Sequence, residues 1–166
     1  MATAPDQLLA LPAAQIRAMS ETDVPAVIEV ERSSYQFPWS EGIFRDCLRV
    51  GYVCRVVVRS GELIGYGVMS SGAGEAHILN LCVRESERCR GIGRTLLEHL
   101  LGRATAAGLS DAYLEVRPSN TAAIRLYQSL GFEPIGVRRG YYQAIGGRED
   151  AAVLKLALRG RRARIS

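Results

Sequence analysis

The chain has 166 residues, of which 48% are apolar and 23% charged, and its formal net charge is +4. This composition is typical of a globular protein, and the length suits one domain with its own core. No apolar run approaches the roughly 18 residues of a membrane span, and the N-terminus lacks the basic start of a secretory signal. The sequence therefore predicts a cytoplasmic protein with no membrane contact.

Four cysteines and two histidines restrict metal and thiol chemistry. The cysteines include no C-x-x-C pair, which predicts reduced thiols and no metal site. No histidine stands at a spacing that indicates a nucleophilic Cys–His pair. The thiols are Cys47, Cys54, Cys82 and Cys89.

The net charge is concentrated at the C-terminus. Four arginines lie within residues 159–166, so the rest of the chain sums to zero. We predict a loosely ordered tail over residues 1–15, one domain over residues 16–158 and a basic tail over residues 159–166. The basic tail is expected to be a solubilising end, with contact to RNA or to an acidic partner as the alternative. No direct role on nucleic acid is required, and a monomer is expected.

Apolar periodicity and turn residues predict the element order β-α-α-β-β-β-α-β-α-β-β. This order favours an α+β (or three-layer α/β) fold, with a mixed sheet covered by helices on both faces. Tyr141, Tyr142 and Gly146–Gly147 are assigned to a connection before the last strand. The predicted strands are 16–19, 52–59, 63–70, 77–83, 111–117, 132–138 and 150–158, and the predicted helices are 24–34, 41–48, 95–107 and 121–130.

One strand–loop–helix stretch, residues 77–107, is the most informative part of the chain. A strand with apolar residues on both faces leads into a loop rich in arginine and glycine, and a leucine-rich helix follows. Free N–H groups at a helix N-terminus form a ready anion site, so the loop predicts phosphate binding. A tight turn with solvated arginines is the alternative. The spacing excludes the Walker A and dinucleotide-binding loops.

Three polar side chains downstream are candidates for chemistry. Glu115 lies mid-strand, where it is either a general base with a pKa raised by burial or the partner of Arg117 or Arg125 on a wet sheet face. Tyr127 lies on the apolar face of a helix, where it is a core aromatic or a proton donor. Asn120 is either the N-cap of that helix or an amide contact to a ligand.

The motifs together resemble the GNAT superfamily of N-acetyltransferases, and within it the RimI-type ribosomal-protein-alanine N-acetyltransferases. The resemblance covers residues 16–158. It is carried by F-P-W-S, H-I-L-N-L-C-V, R-C-R-G-I-G, L-E-V-R-P-S-N-T-A-A-I-R-L-Y-Q-S-L-G-F, R-R-G-Y-Y and G-R-E-D-A. It implies a mostly antiparallel mixed sheet and acetyl-CoA as cosubstrate, without a metal.

The resemblance also implies roles for individual residues. Glu115 is the implied general base, although the sequence pattern alone slightly favours an ion-paired carboxylate. Tyr127 is the implied general acid. Asn120 is an implied cofactor contact. The strand residues implied to pair with the pantetheine arm are Leu81, Cys82 and Val83. The residues implied to hold the pyrophosphate are Arg88, Cys89, Arg90, Gly91, Ile92, Gly93 and Arg94.

The implied reaction is acetylation of a protein N-terminus, namely the N-terminal alanine of the eighteenth small-subunit ribosomal protein. Residues 34–40 and 138–142 would frame the peptide entrance by analogy. Two alternatives stay open at this stage. One is an acetyltransferase for lysine side chains, small amines or a broader set of N-termini, and the other is a non-catalytic acyl-CoA-binding subunit.

Overall fold

The computed structural model describes residues 13–160. Within this range the chain forms one mixed sheet with helices on both faces. The strands are β1 (Gln15–Ala18), β2 (Val53–Arg59), β3 (Glu62–Gly72), β4 (Glu75–Val83), β5 (Asp111–Val116), β6 (Glu133–Ala144) and β7 (Gly147–Ala157). The helices are α1 (Val24–Ser34), α2 (Glu41–Arg49), α3 (Ile92–Ala106) and α4 (Thr121–Ser129).

The strand order in the sheet is β1-β2-β3-β4-β5-β7-β6. Every neighbouring pair is antiparallel except β4 and β5, which are parallel. This arrangement confirms the predicted mixed, mostly antiparallel sheet. The tail assignments fall mainly on residues 1–12 and 161–166, which lie outside the described residues, and they stay predictions.

Each face of the sheet has its own core. Leu97 and Leu100 of α3 are fully buried against β4 and β5, in the same cluster as Ile78 and Leu114. The i, i+3, i+4 spacing of the α3 leucines produces this single buried face. On the opposite face, α1 and α2 pack on β2, β3 and β4, where Phe44 lies edge-on to Tyr66.

The parallel strands β4 and β5 separate part way along their length. They pair only from Glu75 with Asp111 to Ile78 with Leu114, although both strands continue further. The register of β3 against β4 shifts at this point, where Leu79 is the extra residue of a β-bulge. Such a bulge bends a strand and strengthens its twist. A cleft therefore opens between the C-terminal halves of β4 and β5.

The last hairpin differs from the prediction. Tyr141 and Tyr142 belong to β6, which continues to Ala144, and do not lie in a connection. The strand passes through an irregular stretch at Gly140, whose φ is +60° and whose N–H donates to Asp150 Oδ1 at 2.8 Å. Most of β6 is exposed, so no apolar alternation marks it in the sequence.

Candidate active site

Glu115 lies at the mouth of the cleft between β4 and β5. Its neighbours Leu114 and Val116 point into the core beneath α3 and α4, so the Glu115 side chain points to the other face of the sheet. The side chain is only 5% exposed. Its Oε2 forms a hydrogen bond with His77 Nε2, and its Oε1 lies 3.4 Å from Arg138 Nε.

The pKa of Glu115 is lower than that of an ordinary glutamate. Burial acts to raise it, but the hydrogen bond and charge of His77, together with the charge of Arg138, more than offset burial. The predicted upward shift is therefore wrong, because burial was considered without these partners. The predicted ion-pair partners are also wrong, since Arg117 contacts Glu149 at 3.0 Å instead.

His77 is a site residue that the sequence reading missed. It lies on β4 opposite Tyr113 of β5, one strand away from Glu115, and its side chain is 31% exposed. A signal was present, because His77 and Glu115 are polar residues in two mostly apolar strands that were expected to be neighbours. Only the register of the parallel pair brings the two side chains together.

Tyr127 approaches the cleft from the opposite face of the sheet. Its ring packs in the α3–α4 core, 5.9 Å from the ring of Phe132. Burial raises its pKa to about 12, so the phenol keeps its proton at neutral pH. Burial also raises the pKa of Tyr142, and the nearby Glu115 and Tyr127 add to that effect. Tyr142 is therefore within electrostatic reach of both.

The main chain of β4 lines the cleft in an alternating pattern. The carbonyl oxygen of Leu81 accepts from the Tyr35 hydroxyl at 3.1 Å, and that of Val83 accepts from Arg88 Nε at 2.9 Å. Successive residues of a strand direct their backbone groups to opposite edges, so Cys82 between them faces β3. Two of the three residues assigned to the pantetheine arm thus offer main chain to the cleft.

The loop before α3 has the backbone geometry of an anion site. Cys89 and Gly91 both have a positive φ, +63° and +81°, and Gly91 is the N-cap of α3. The first backbone hydrogen bond of the helix runs from Thr95 N–H to the Gly91 carbonyl at 3.0 Å. The N–H groups of the first turn, which include those of Ile92 and Gly93, have no acceptor within the helix.

The three loop arginines are held by the protein itself. Arg88 is exposed at the loop surface and is held by its hydrogen bond to the Val83 carbonyl. Arg90 contacts Glu87 at 3.4 Å. Arg94 donates to Ser129 Oγ of α4 at 2.5 Å. The loop therefore presents main-chain N–H groups with positive charge at its rim.

Asn120 is the N-cap of α4, which is one of the two roles predicted for it. Its Oδ1 accepts from the Ala123 N–H at 3.2 Å. The side chain is exposed. The capping role is confirmed, and a contact to ligand stays a prediction.

A buried carboxylate that the sequence reading did not single out lies behind the cleft. Glu31 of α1 is 2% exposed and accepts three hydrogen bonds. The donors are Tyr66 Oη at 2.6 Å, Asn80 Nδ2 at 3.0 Å and the Trp39 N–H at 2.9 Å. Glu31 therefore ties residues 35–40 to the centre of the sheet, beside the β4 bulge.

The described residues include no cluster of three or more His, Cys, Asp and Glu side chains that could hold a metal ion. Within the same part of the chain, no helix is long and apolar enough to cross a membrane.

The cleft, the anion loop and the sheet topology together define an acetyltransferase of the GNAT type. Residues 16–132 match the acetyltransferase (GNAT) family, and the chain belongs to that family.

Some relatives carry the name of a particular enzyme within this family. The [ribosomal protein bS18]-alanine N-acetyltransferase of Escherichia coli (strain K12) is 36% identical over 143 residues, 86% of this chain and 97% of that protein. A crystal structure of the ribosomal-protein-S18-alanine N-acetyltransferase from Escherichia coli superposes with a TM-score of 0.83 at 34% identity. The superposition covers 93% of this chain and 99% of the Escherichia coli chain. Arabidopsis thaliana NAA60 in complex with acetyl-CoA shares the fold, with a TM-score of 0.80 at 22% identity over 89% of this chain and all of that one.

Proposed function

We propose that this protein transfers the acetyl group of acetyl-CoA to the N-terminal α-amine of ribosomal protein S18, with alanine as the acetylated residue. The observation that carries the proposal is the 36% identity to the Escherichia coli enzyme of that name over 97% of its length. A ribosomal substrate places the proposed reaction in the cytoplasm. The position of Glu115 at the cleft mouth supports the same reading.

The residues of the cleft fit acetyl-CoA. Main-chain groups of Leu81 and Val83 would pair with the pantetheine arm, as an added strand pairs with a sheet edge. The free N–H groups from Gly91 to Arg94 would hold the pyrophosphate, with Arg88, Arg90 and the exposed Cys89 at the rim of that site. Asn120 Nδ2 would add a further contact.

The proposed reaction needs a base, an acid and aligned substrates. Glu115 accepts a proton from the α-ammonium group, directly or through a water molecule, because only the neutral amine has a lone pair. Acetyl-CoA supplies the acetyl thioester. As the nitrogen–carbon bond forms and the carbon–sulfur bond breaks, Tyr127 gives its phenol proton to the departing thiolate. The second proton lost by the nitrogen passes through water to the Tyr127 phenolate and restores the phenol. Cleft-facing N–H groups of β4 polarise the acetyl carbonyl.

A panel of amine substrates tests the proposal. The purified protein is incubated with acetyl-CoA and an S18 N-terminal peptide, an α-blocked peptide that contains lysine, and a peptide with a bulky first residue. Mass spectrometry reports the site of acetylation. We expect product on the free alanine α-amine. Acetylation of the blocked peptide alone would contradict the proposal, and acetyl-CoA binding without turnover on any amine would indicate a binding subunit.

We expect Tyr127→Phe to lower kcat by roughly 10- to 100-fold and to leave the KM of both substrates nearly unchanged. The thiolate then leaves without its proton donor, whereas the ring still fills the core. Steady-state kinetics with the S18 peptide measure the effect. Tyr52→Phe is the matched control, because Tyr52 is 40% exposed and precedes β2. A Tyr127→Phe enzyme with the kcat of the Tyr52→Phe control would remove the acid role.

A further inference from the structure

We propose that His77 is a positioning residue for the proposed acetyl transfer. Its imidazole holds the Glu115 carboxylate in the orientation and charge state that removal of a proton from the amine requires. This inference rests on the proposed function. It adds a residue that sets the pH range over which Glu115 can act as the base.

The geometry gives the imidazole direct control of the carboxylate. His77 and Glu115 lie on neighbouring parallel strands and meet through Nε2 and Oε2. The contact lies immediately beside the last paired residues of β4 and β5, where the cleft begins. A hydrogen bond here fixes Oε2 of Glu115. The other oxygen, Oε1, lies 3.4 Å from the exposed Arg138 side chain and is the atom that can face an incoming amine.

The need for such a partner follows from burial. A side chain that is 5% exposed loses most of its contact with water, and an isolated carboxylate in that position would take up a proton. A protonated Glu115 cannot accept the proton of the amine. His77 offsets this loss with a hydrogen bond, to which a protonated imidazole adds a favourable charge.

Few other charged groups act on Glu115. Arg138 is a permanent cation, but its side chain is 56% exposed against 31% for His77, so solvent screens Arg138 more strongly. Glu115 pairs across the sheet with Val153 of β7, which carries no charge. The titratable and charged groups that face the pair from all the elements around it are Tyr113 of β5, Arg138, Tyr141 and Tyr142 of β6, and Lys155 of β7.

The test compares His77→Leu, which removes the donor, with His77→Gln, whose amide N–H can reach the place of Nε2. The dependence of kcat/KM on pH is measured from about pH 3.5 to pH 9, an interval that contains the ordinary glutamate and α-amine ionisations. We expect His77→Leu to lose roughly 10-fold in kcat at pH 7. Its acid limb should move to higher pH, because burial then raises the pKa of Glu115 and is opposed mainly by the charge of Arg138. His77→Gln should be intermediate in both measurements.

His99→Leu is the matched control, since His99 is the other histidine of the chain and lies on α3. Within residues 13–160 its Nε2 has no hydrogen-bond partner. Its acid limb should coincide with that of the wild type. An unmoved acid limb in His77→Leu would overturn the proposal even if kcat fell, because a purely structural role changes the rate without changing the ionisation.

A substrate-free measurement separates this inference from the proposed function. Carbon-13 NMR of the carboxyl carbons, with Glu115→Gln to assign the signal, follows the ionisation of Glu115 in the folded protein. We expect its midpoint below the ordinary glutamate value in the wild type and above the wild-type midpoint in His77→Leu. Equal midpoints would overturn the role of His77. If the midpoints differ but no α-amine is acetylated, the control of the Glu115 ionisation by His77 is supported and the proposed function fails.

Discussion

Glu115→Gln should lower kcat at pH 7 by roughly 100- to 10,000-fold, the usual contribution of a general base, and should leave acetyl-CoA binding unchanged. Glutamine keeps the size of the side chain but cannot accept the proton of the ammonium group. At pH 7 an α-amine with a pKa of about 8 is only about 10% neutral, so the uncatalysed supply of nucleophile is small. Single-turnover kinetics with the S18 peptide and calorimetry with acetyl-CoA measure the two effects.

The pH dependence makes this prediction specific. Near pH 9 about 90% of the amine is already neutral, so the variant should recover about 9-fold relative to pH 7. The wild type should show no loss from Glu115 near neutrality, because His77 and Arg138 hold the pKa of Glu115 below its ordinary value against burial. Glu62→Gln, at a side chain 65% exposed, is the control. A Glu115→Gln enzyme with the pH profile and rate of that control would assign the base to another group.

Local patterns predict the elements that form the cofactor cleft. The apolar run of β4, the glycines of the loop and the leucine spacing of α3 each reflect a short-range physical requirement: burial on both faces, a left-handed backbone and a one-sided helix. Gly91 illustrates this well, since its positive φ at the N-cap is what a glycine before a helix indicates. These requirements are met within a few residues, so the sequence reveals them.

Contacts between distant segments are much harder to read from the sequence. His77 and Glu115 are 38 positions apart, and Glu31 and Asn80 are 49 apart. The first contact depends on the register of the parallel strands β4 and β5. The second depends on the β4 bulge, which places Leu79 and Asn80 on the same face of the sheet. Alternation alone would have turned Asn80 away from α1.

The direction of the Glu115 pKa shift depends on these contacts between distant segments. A polar residue in an apolar strand suggests burial, and burial alone raises the pKa of a carboxyl group. The sign depends on which partners the fold brings within a few ångströms. Arg117 and Arg125 are near in sequence, whereas His77 and Arg138 are near in space.

Glu31→Ala should destabilise the fold by about 3 kcal/mol, since it leaves buried polar groups without partners. The Tyr66 hydroxyl, the Asn80 amide and the Trp39 N–H would all lose the acceptor that they share. Each buried donor left unpaired costs about 1–3 kcal/mol, and some relaxation around the smaller alanine reduces the total. Urea unfolding followed by circular dichroism measures the change.

The same helix provides the control. Glu29 is 73% exposed and lies 3.6 Å from Arg84, so Glu29→Ala should change the free energy of unfolding by less than about 0.5 kcal/mol. Glu31→Gln should lie between the two variants, because its amide keeps one acceptor for three donors. Release of residues 35–40 should also raise the KM for the peptide in Glu31→Ala more than the KM for acetyl-CoA, since Tyr35 and Trp39 lie on that segment. Equal stabilities of Glu31→Ala and Glu29→Ala would show that the three hydrogen bonds contribute nothing beyond the surface ion pair.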